Sequence, residues 1–109
     1  MKDIDAYGDF TVRMWMGEPA EELDERQLAI MSLGLPGEVG EVVEILKKRL
    51  RDGTFDRENL RKELGDVIYY WARLCRAFDL QPSEVLASNI DKLESRRARG
   101  TMRGSGDDR

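Results

Sequence analysis

The stretch "GLPGEVGEVVEILKK", from Gly34 to Lys48, combines helix-breaking residues with a helical apolar pattern. Two glycines and Pro36 open it, and glutamates then recur at every third position from Glu38 to Glu44. A glycine inside a helix costs about 1 kcal/mol relative to alanine, and an interior proline costs about 3 kcal/mol. Because such costly residues stand beside crowded like charges, the stretch indicates a helix shaped for a purpose other than stability.

Around this stretch, an apolar ladder predicts helical structure on both sides of Pro36. Its steps of three and four residues keep one phase through the positions Leu28, Met31, Leu35, Val39, Val42, Leu46 and Leu50. We interpret the segment as one helix kinked at Pro36, or as two abutting helices that share a face. A plain turn at "GLPG" is the alternative. We place the core-facing stripe near Val39 and Leu46.

The rest of the chain predicts three more helices and no strand. The first ends near Met16, and "RDGTFD" supplies a turn with Gly53 as C-cap and Asp56 as N-cap. A third helix extends to about Phe78, and Pro82 suits the first turn of a fourth. The fold class is therefore all-α, a four-helix antiparallel bundle-like domain over residues 1–98, with a polar tail over residues 99–109.

The composition limits the possible functions. The chain has 109 residues, of which 37% are charged and 40% hydrophobic, so its core is thin and oligomerisation is expected to complete it. The net charge of −4 argues against a nucleic-acid polymer as partner, and no apolar run predicts a membrane span. The lone Cys75 and the absence of a signal-peptide pattern favour a cytoplasmic protein. The absence of histidine excludes Ser-His-Asp and Cys-His catalysis.

Two acidic pairs are predicted to meet across the helical hairpin. The pairs are the ends of "EVGE" and "ELGD", which are Glu38 with Glu41 and Glu63 with Asp66. In each helix the acidic pair lies on the same side of that helix's apolar stripe. The two helices are expected to be antiparallel, and a rise of about 1.5 Å per residue then places the two pairs at the same height. The alternative is that these carboxylates are simply solvated. If they converge, their repulsion calls for a hard divalent cation such as Mg²⁺ or Mn²⁺.

These residues resemble a known family. "GEVGEVVE" followed by "KELGDVIYYW" is similar to the E-x-x-E and E-x-x-D signature of MazG-like, all-α nucleoside triphosphate pyrophosphohydrolases, and "NIDKLESRRARG" is similar to their last helix. The resemblance implies hydrolysis of a (deoxy)nucleoside triphosphate to monophosphate and pyrophosphate with Mg²⁺, in a homodimer or a dimer of dimers. It implies Glu38, Glu41, Glu63 and Asp66 as metal ligands. Relatives often carry a glutamate where this chain has Gly37, which leaves the water-activating carboxylate unassigned.

Other residues are candidates for catalysis and substrate binding. The catalytic candidates are Glu38, Glu41 and Glu44, and the sequence does not choose between Glu38 and Glu44 as general base. The predicted substrate-binding residues are Asn89, Lys92 and Arg96 in a row on the fourth helix, Tyr70 beside Asp66, and Arg99 and Arg103 as a phosphate clamp. For the tail arginines, disorder is the alternative.

Three functions are compatible with the sequence. The first is a metal-dependent pyrophosphohydrolase that removes damaged, non-canonical or excess dNTPs. The second, from the same superfamily, is a phosphoribosyl-ATP pyrophosphohydrolase. The third is a non-catalytic helical module whose acidic seam binds a basic partner or stays solvated.

Overall fold

Four helices make up the computed structural model, which describes residues 3–16 and 23–100 of the chain. They are α1 (Ile4–Met16), α2 (Glu25–Asp52), α3 (Arg57–Ala77) and α4 (Pro82–Arg99). No strand occurs among the described residues, so the predicted all-α class is confirmed. The tail from residue 101 onward, including Arg103, lies outside the described residues.

The predicted turn signals mark the real helix ends. Gly53 takes the left-handed conformation at φ 75°, and its N–H donates to the carbonyl of Arg49 at the end of α2. The Asp56 carboxylate accepts a hydrogen bond from the Asn59 N–H at 3.0 Å and so begins α3. Helix α2 runs through Pro36 as one element, which decides against a turn at "GLPG".

The first turn of α4 is capped by a residue from α1. Gln81, the residue before this helix, makes no side-chain cap, and Pro82 occupies the first helical turn. Instead the Asp5 carboxylate accepts hydrogen bonds from the Ser83 N–H at 2.8 Å and from the Ser83 hydroxyl at 2.5 Å. This tertiary cap ties the beginning of the chain to α4.

Helix α3 is the hub of the packing. It contacts each of the other three helices, and α1 also contacts α4. Between described residues, no Cα atom of α2 comes within 8 Å of a Cα atom in α1 or α4. Among the described helices only α3 packs closely along α2, so most of the opposite side of α2 is open.

The buried side of α2 differs from the predicted stripe. Met31 and Ile45 are buried, whereas Val39 and Leu46 are each 42% exposed and Leu50 is 89% exposed. At about 100° per residue, the side of α2 that faces α3 lies roughly a quarter turn from the Val39–Leu46 line. Placing the core-facing stripe at Val39 and Leu46 was therefore wrong, because no other described helix covers that apolar side.

Polar contacts hold α1 against α3. The Arg73 guanidinium donates to the Thr11 hydroxyl at 3.4 Å, and Arg76 forms an ion pair with Asp9. Arg73 is buried, and this burial lowers the pKa of its guanidinium. Cys75 is a free cysteine and is buried. None of the described helices is long and apolar enough to cross a membrane.

Candidate metal centre

Three carboxylates meet at the seam between α2 and α3. Glu38 of α2 and Glu63 and Asp66 of α3 each offer one oxygen, and these oxygens lie within 4.8 Å of one another. Glu38 and Glu63 are half-buried in the seam, and Asp66 is exposed at its edge. The i, i+3 spacing within α3 brings Glu63 and Asp66 to neighbouring positions on one side of the helix.

The electrostatics of this cluster favour a cation. The pKa of Glu38 is raised, first by burial and then by the negative charges of Asp66 and Glu63, by a hydrogen bond with Glu63, and by Glu41. A positive charge beside Glu38 would favour its charged form and so oppose this rise in its pKa. The donors are all oxygen, the ligand type that Mg²⁺ and Mn²⁺ prefer, so these residues fit a hard divalent ion.

The two other glutamates of α2 differ in their surroundings. Glu41 is exposed and lies outside the group of three, although its charge still acts on Glu38. Hydrogen bonding to Asp52 raises the pKa of the Arg51 guanidinium, and the charge of Glu44 adds to that rise. Glu41 therefore borders the cluster, while the interaction found for Glu44 is with the basic end of α2.

The glycines of α2 have different neighbours. A β-carbon at Gly34 would lie 2.3 Å from Cε1 of Tyr70, so this glycine makes room for the tyrosine ring. At Gly37 and Gly40, no described atom lies within 4 Å of such a β-carbon. Among these three glycines, close approach of another side chain therefore occurs only at Gly34. Tyr70 fits against Gly34, and its ring meets the ring of Trp15 edge-on at 6.3 Å.

The predicted phosphate-binding row on α4 is not uniformly accessible. Asn89 is exposed, Lys92 is half-buried, and Arg96 is only 4% exposed. Asn89 lines a groove of about 390 Å³ with apolar residues of α2, α3 and α4, which are Leu35, Val67, Ile68, Trp71, Val85 and Leu86. Around α3, Val67 lies about 100° from Asp66 but only about 40° from Glu63, so the groove begins on the side of the helix that carries Glu63. The other described clamp residue, Arg99, is exposed and donates to the Ser95 hydroxyl at 3.1 Å.

Two tyrosines near the cluster were missed in the sequence. Burial raises the pKa of the Tyr7 phenol, with further contributions from Tyr69 and from the charge of Asp66. Tyr69 is half-buried and meets Tyr70 edge-on at 5.4 Å. The spacing of three residues between Asp66 and Tyr69 was a usable signal, but Tyr7 comes from a helix whose docking position the sequence does not reveal.

Comparisons with known proteins agree with this arrangement. A family profile described as the MazG nucleotide pyrophosphohydrolase domain matches residues 26–100, which include every described residue of the acidic seam. The chain is also similar to the Gene 37 protein of Mycobacterium phage L5, with 45% identity over 87 residues, covering 75% of this chain and 76% of the phage protein. No solved structure matches the chain significantly.

Proposed function

The chain belongs to the MazG nucleotide pyrophosphohydrolase domain family, and on this basis we propose that it hydrolyses a (deoxy)nucleoside triphosphate in the presence of Mg²⁺. Water would add to phosphorus, the anhydride between the α and β phosphates would break, and monophosphate and pyrophosphate would leave. The supporting observation is the approach of Glu38, Glu63 and Asp66 to within 4.8 Å. Removal of non-canonical or excess nucleotides is the role that we assign to this reaction.

Glu38, Glu63 and Asp66 are the residues that we expect to hold the ion. A bound divalent ion lowers the pKa of water and neutralises charge on phosphoryl oxygens. The protein contributes the geometry, because two helices fix the three carboxylates across one seam. Mn²⁺ would substitute for Mg²⁺, since both accept carboxylate oxygens.

Glu41 is our candidate for the residue that accepts a proton from water. It borders the three clustered carboxylates without being one of them, so its oxygens are not needed to form that group. Its exposure leaves it open to solvent and substrate. We rank Glu44 below it, because the interaction found for Glu44 is with Arg51. A fourth-ligand role for Glu41 would instead show itself as a loss of metal affinity on substitution.

For substrate binding, we propose residues on both sides of α3. Tyr70 lies on the same helix as Asp66, one turn further on, and packs beside Gly34. Asn89 and Lys92 belong to α4, and Asn89 shares a groove with Leu35 of α2 and with apolar residues of α3.

We further propose that the chain forms a homodimer or a dimer of dimers through the open side of α2. Four exposed apolar residues lie within about 60° of one another on this helix, and we call them the α2 strip: Val39, Val43, Leu46 and Leu50. The exposed side of α4 adds Leu86, Ile90 and Leu93. Contiguous apolar surface of this kind is typical of association sites.

The function is tested by pyrophosphate release from a panel of nucleotides with Mg²⁺ or Mn²⁺. We expect at least one nucleoside triphosphate to yield monophosphate and pyrophosphate, and the Asp66→Asn and Glu63→Gln variants to lose at least a hundredfold in kcat. A matched control is Glu58→Gln, also on α3, because Glu58 pairs with Arg61 and lies outside the cluster.

Three results would contradict the proposal. The first is that no nucleotide on the panel is hydrolysed. The second is that Asp66→Asn retains full activity. The third is that Glu58→Gln is as damaging as Glu63→Gln, which would mean that the cluster has no special role. If the chain prefers phosphoribosyl-ATP over all nucleoside triphosphates, the proposed bond cleavage stands but the proposed substrate is wrong.

A further inference from the structure

The α2–α3 hairpin ends in a basic segment within an acidic protein. Residues 47–62 carry seven basic and three acidic side chains, a net charge of +4 in a chain whose total is −4. We call this segment the basic tip. Its basic residues are Lys47, Lys48, Arg49, Arg51, Arg57, Arg61 and Lys62, all of them exposed. A net charge averaged over the chain therefore conceals a local positive surface.

The acidic residues of the basic tip already have partners. Asp52 forms a two-bonded ion pair with Arg51 at 2.9 Å, and Glu58 lies 3.3 Å from Arg61. Asp56 accepts the Asn59 N–H as the cap of α3. Among the described residues, the side chains left without an ion pair include Lys47, Lys48, Arg57 and Lys62.

Helix stability explains only part of this charge. Basic residues near the C-terminus of α2, such as Arg49 and Arg51, are favoured by the helix dipole. Arg57 is different, because it is the first residue of α3, where the dipole disfavours a positive charge. The helix dipole therefore does not explain a cation in that position.

An exposed aromatic ring and a small cavity lie next to basic side chains of the tip. The Arg49 guanidinium lies 4.6 Å from the centroid of the Phe55 ring. Phe55 is nevertheless 39% exposed. A cavity of about 270 Å³ next to the ring is lined by Ile45, Lys48, Thr54, Phe55, Asp56 and Asn59. The cavity thus combines cations and an aromatic ring with the hydroxyl of Thr54 and the amide of Asn59. Aromatic rings stack on bases and cations bind phosphates in proteins that bind single-stranded nucleic acid.

We propose that the basic tip binds single-stranded nucleic acid. The unpaired cations contact the phosphates of the strand, and Phe55 stacks on a base at the cavity beside Asn59. At about 1.5 Å per residue, Asp52 at the end of α2 is roughly 21 Å from Glu38 along the helix. Lys62 directly precedes Glu63 in α3, so the basic tip borders the metal centre at one end, whereas Lys48, Phe55 and Asn59 lie toward the turn.

Fluorescence anisotropy of a labelled oligo-dT of about 20 nucleotides tests this proposal on the full chain. We expect binding whose log K falls with log salt at a slope of about −2 to −3, as four phosphate contacts on a single strand predict. The Lys48→Glu, Arg57→Glu double variant should lose at least tenfold in affinity. Phe55→Ala should lose about fivefold or more if a base stacks on the ring.

A charge-matched control separates this surface from net charge. Arg26 and Arg97 are exposed and lie outside the basic tip, so the Arg26→Glu, Arg97→Glu double variant changes the net charge equally and should lose less than threefold. The Asp66→Asn variant should bind the strand normally, so a failed proposal about catalysis leaves this one standing. Thermal melts check that each variant is folded.

Three outcomes would overturn the proposal. In the first, the wild-type chain does not bind oligo-dT at low salt. In the second, both double variants lose affinity equally. In the third, polyglutamate competes as well as unlabelled oligo-dT and Phe55→Ala has no effect. That result would indicate that the basic tip binds an acidic protein surface instead.

Discussion

Two glycines of α2 differ in what lies beside them. Gly34 is required by a neighbour in the same chain, because the Tyr70 ring occupies the place of a side chain. Gly40 has open space instead. The same residue type therefore has two different uses within two turns of one helix.

We predict opposite effects on stability at these two glycines. Gly34→Ala should lower the free energy of unfolding by about 1 to 3 kcal/mol, because a methyl group would force the Tyr70 ring aside. Gly40→Ala should raise it by up to about 1 kcal/mol through better helix propensity. Urea unfolding of the two variants measures both changes. Equal stability of the two variants would show that Tyr70 does not pack where the structure places it.

The glutamates of α2 should differ in kinetics. We expect Glu41→Gln to lower kcat at least tenfold with little change in metal affinity, because Glu41 borders the three clustered carboxylates. Glu44→Gln, the matched change one turn along, should leave both quantities within about twofold, since Glu44 interacts with Arg51. Steady-state kinetics with a Mn²⁺ titration measures the two effects. A larger kinetic loss for Glu44→Gln would reverse their roles.

At the scale of the elements, α4 depends on a cap from a distant part of the chain. The hydrogen bonds from Ser83 lower the pKa of the Asp5 carboxyl, since they favour its charged form. A pKa that is lower in the folded state contributes stability above the unfolded value of 3.8, and that stability is lost as pH falls through the folded value.

Substitution of Asp5 should therefore remove a pH-dependent part of the stability. We predict that Asp5→Asn unfolds at lower urea concentration than the wild type at pH 7, and that the gap narrows as the pH falls below about 3.8. Asp91→Asn, on the exposed side of α4, is the control and should unfold like the wild type at both pH values. A gap that is independent of pH would mean that the charge of Asp5 is not what caps α4.

Helix boundaries were predictable because their signals are local. Gly53 and Asp56 each act within a few residues of themselves, and the sequence identified both. The cap of α4 was not predictable, because Asp5 and Ser83 are 78 positions apart. The spacing of Glu63 and Asp66 also follows from the helix period alone, so two of the clustered carboxylates could be paired from the sequence.

The orientation of α2 shows where the sequence is ambiguous. An apolar stripe looks the same in a sequence whether it meets the same chain or another surface. Val39 and Leu46 belong to such a stripe, yet they are exposed, and half-buried Glu38 faces α3 instead. The sequence predicted the carboxylates at the flank of the core-facing stripe. In the structure they lie nearer to the contact between α2 and α3.

At the scale of the whole molecule, the proposed association of the chain would account for both the thin core and the exposed α2 strip. We predict that Leu50→Glu shifts the chain to a monomer in size-exclusion chromatography with light scattering, because a charge in an apolar interface is costly. Ile30→Glu is the matched control, since Ile30 is 47% exposed and lies about 160° from Leu50 around α2. A wild-type chain that is monomeric, or two variants that behave alike, would contradict an interface at the α2 strip.

The proposed function depends on the binding of a divalent cation in the α2–α3 seam. Calorimetric titration of Mn²⁺ into the metal-free chain measures it directly, with Asp66→Asn and the control Glu58→Gln titrated in parallel. We predict saturable binding to the wild type and to Glu58→Gln, and a loss of at least tenfold in affinity for Asp66→Asn, which would lack one of the three clustered carboxylates. Absence of saturable binding to the wild type, or equal affinity in all three proteins, would show that Glu38, Glu63 and Asp66 do not form a metal site.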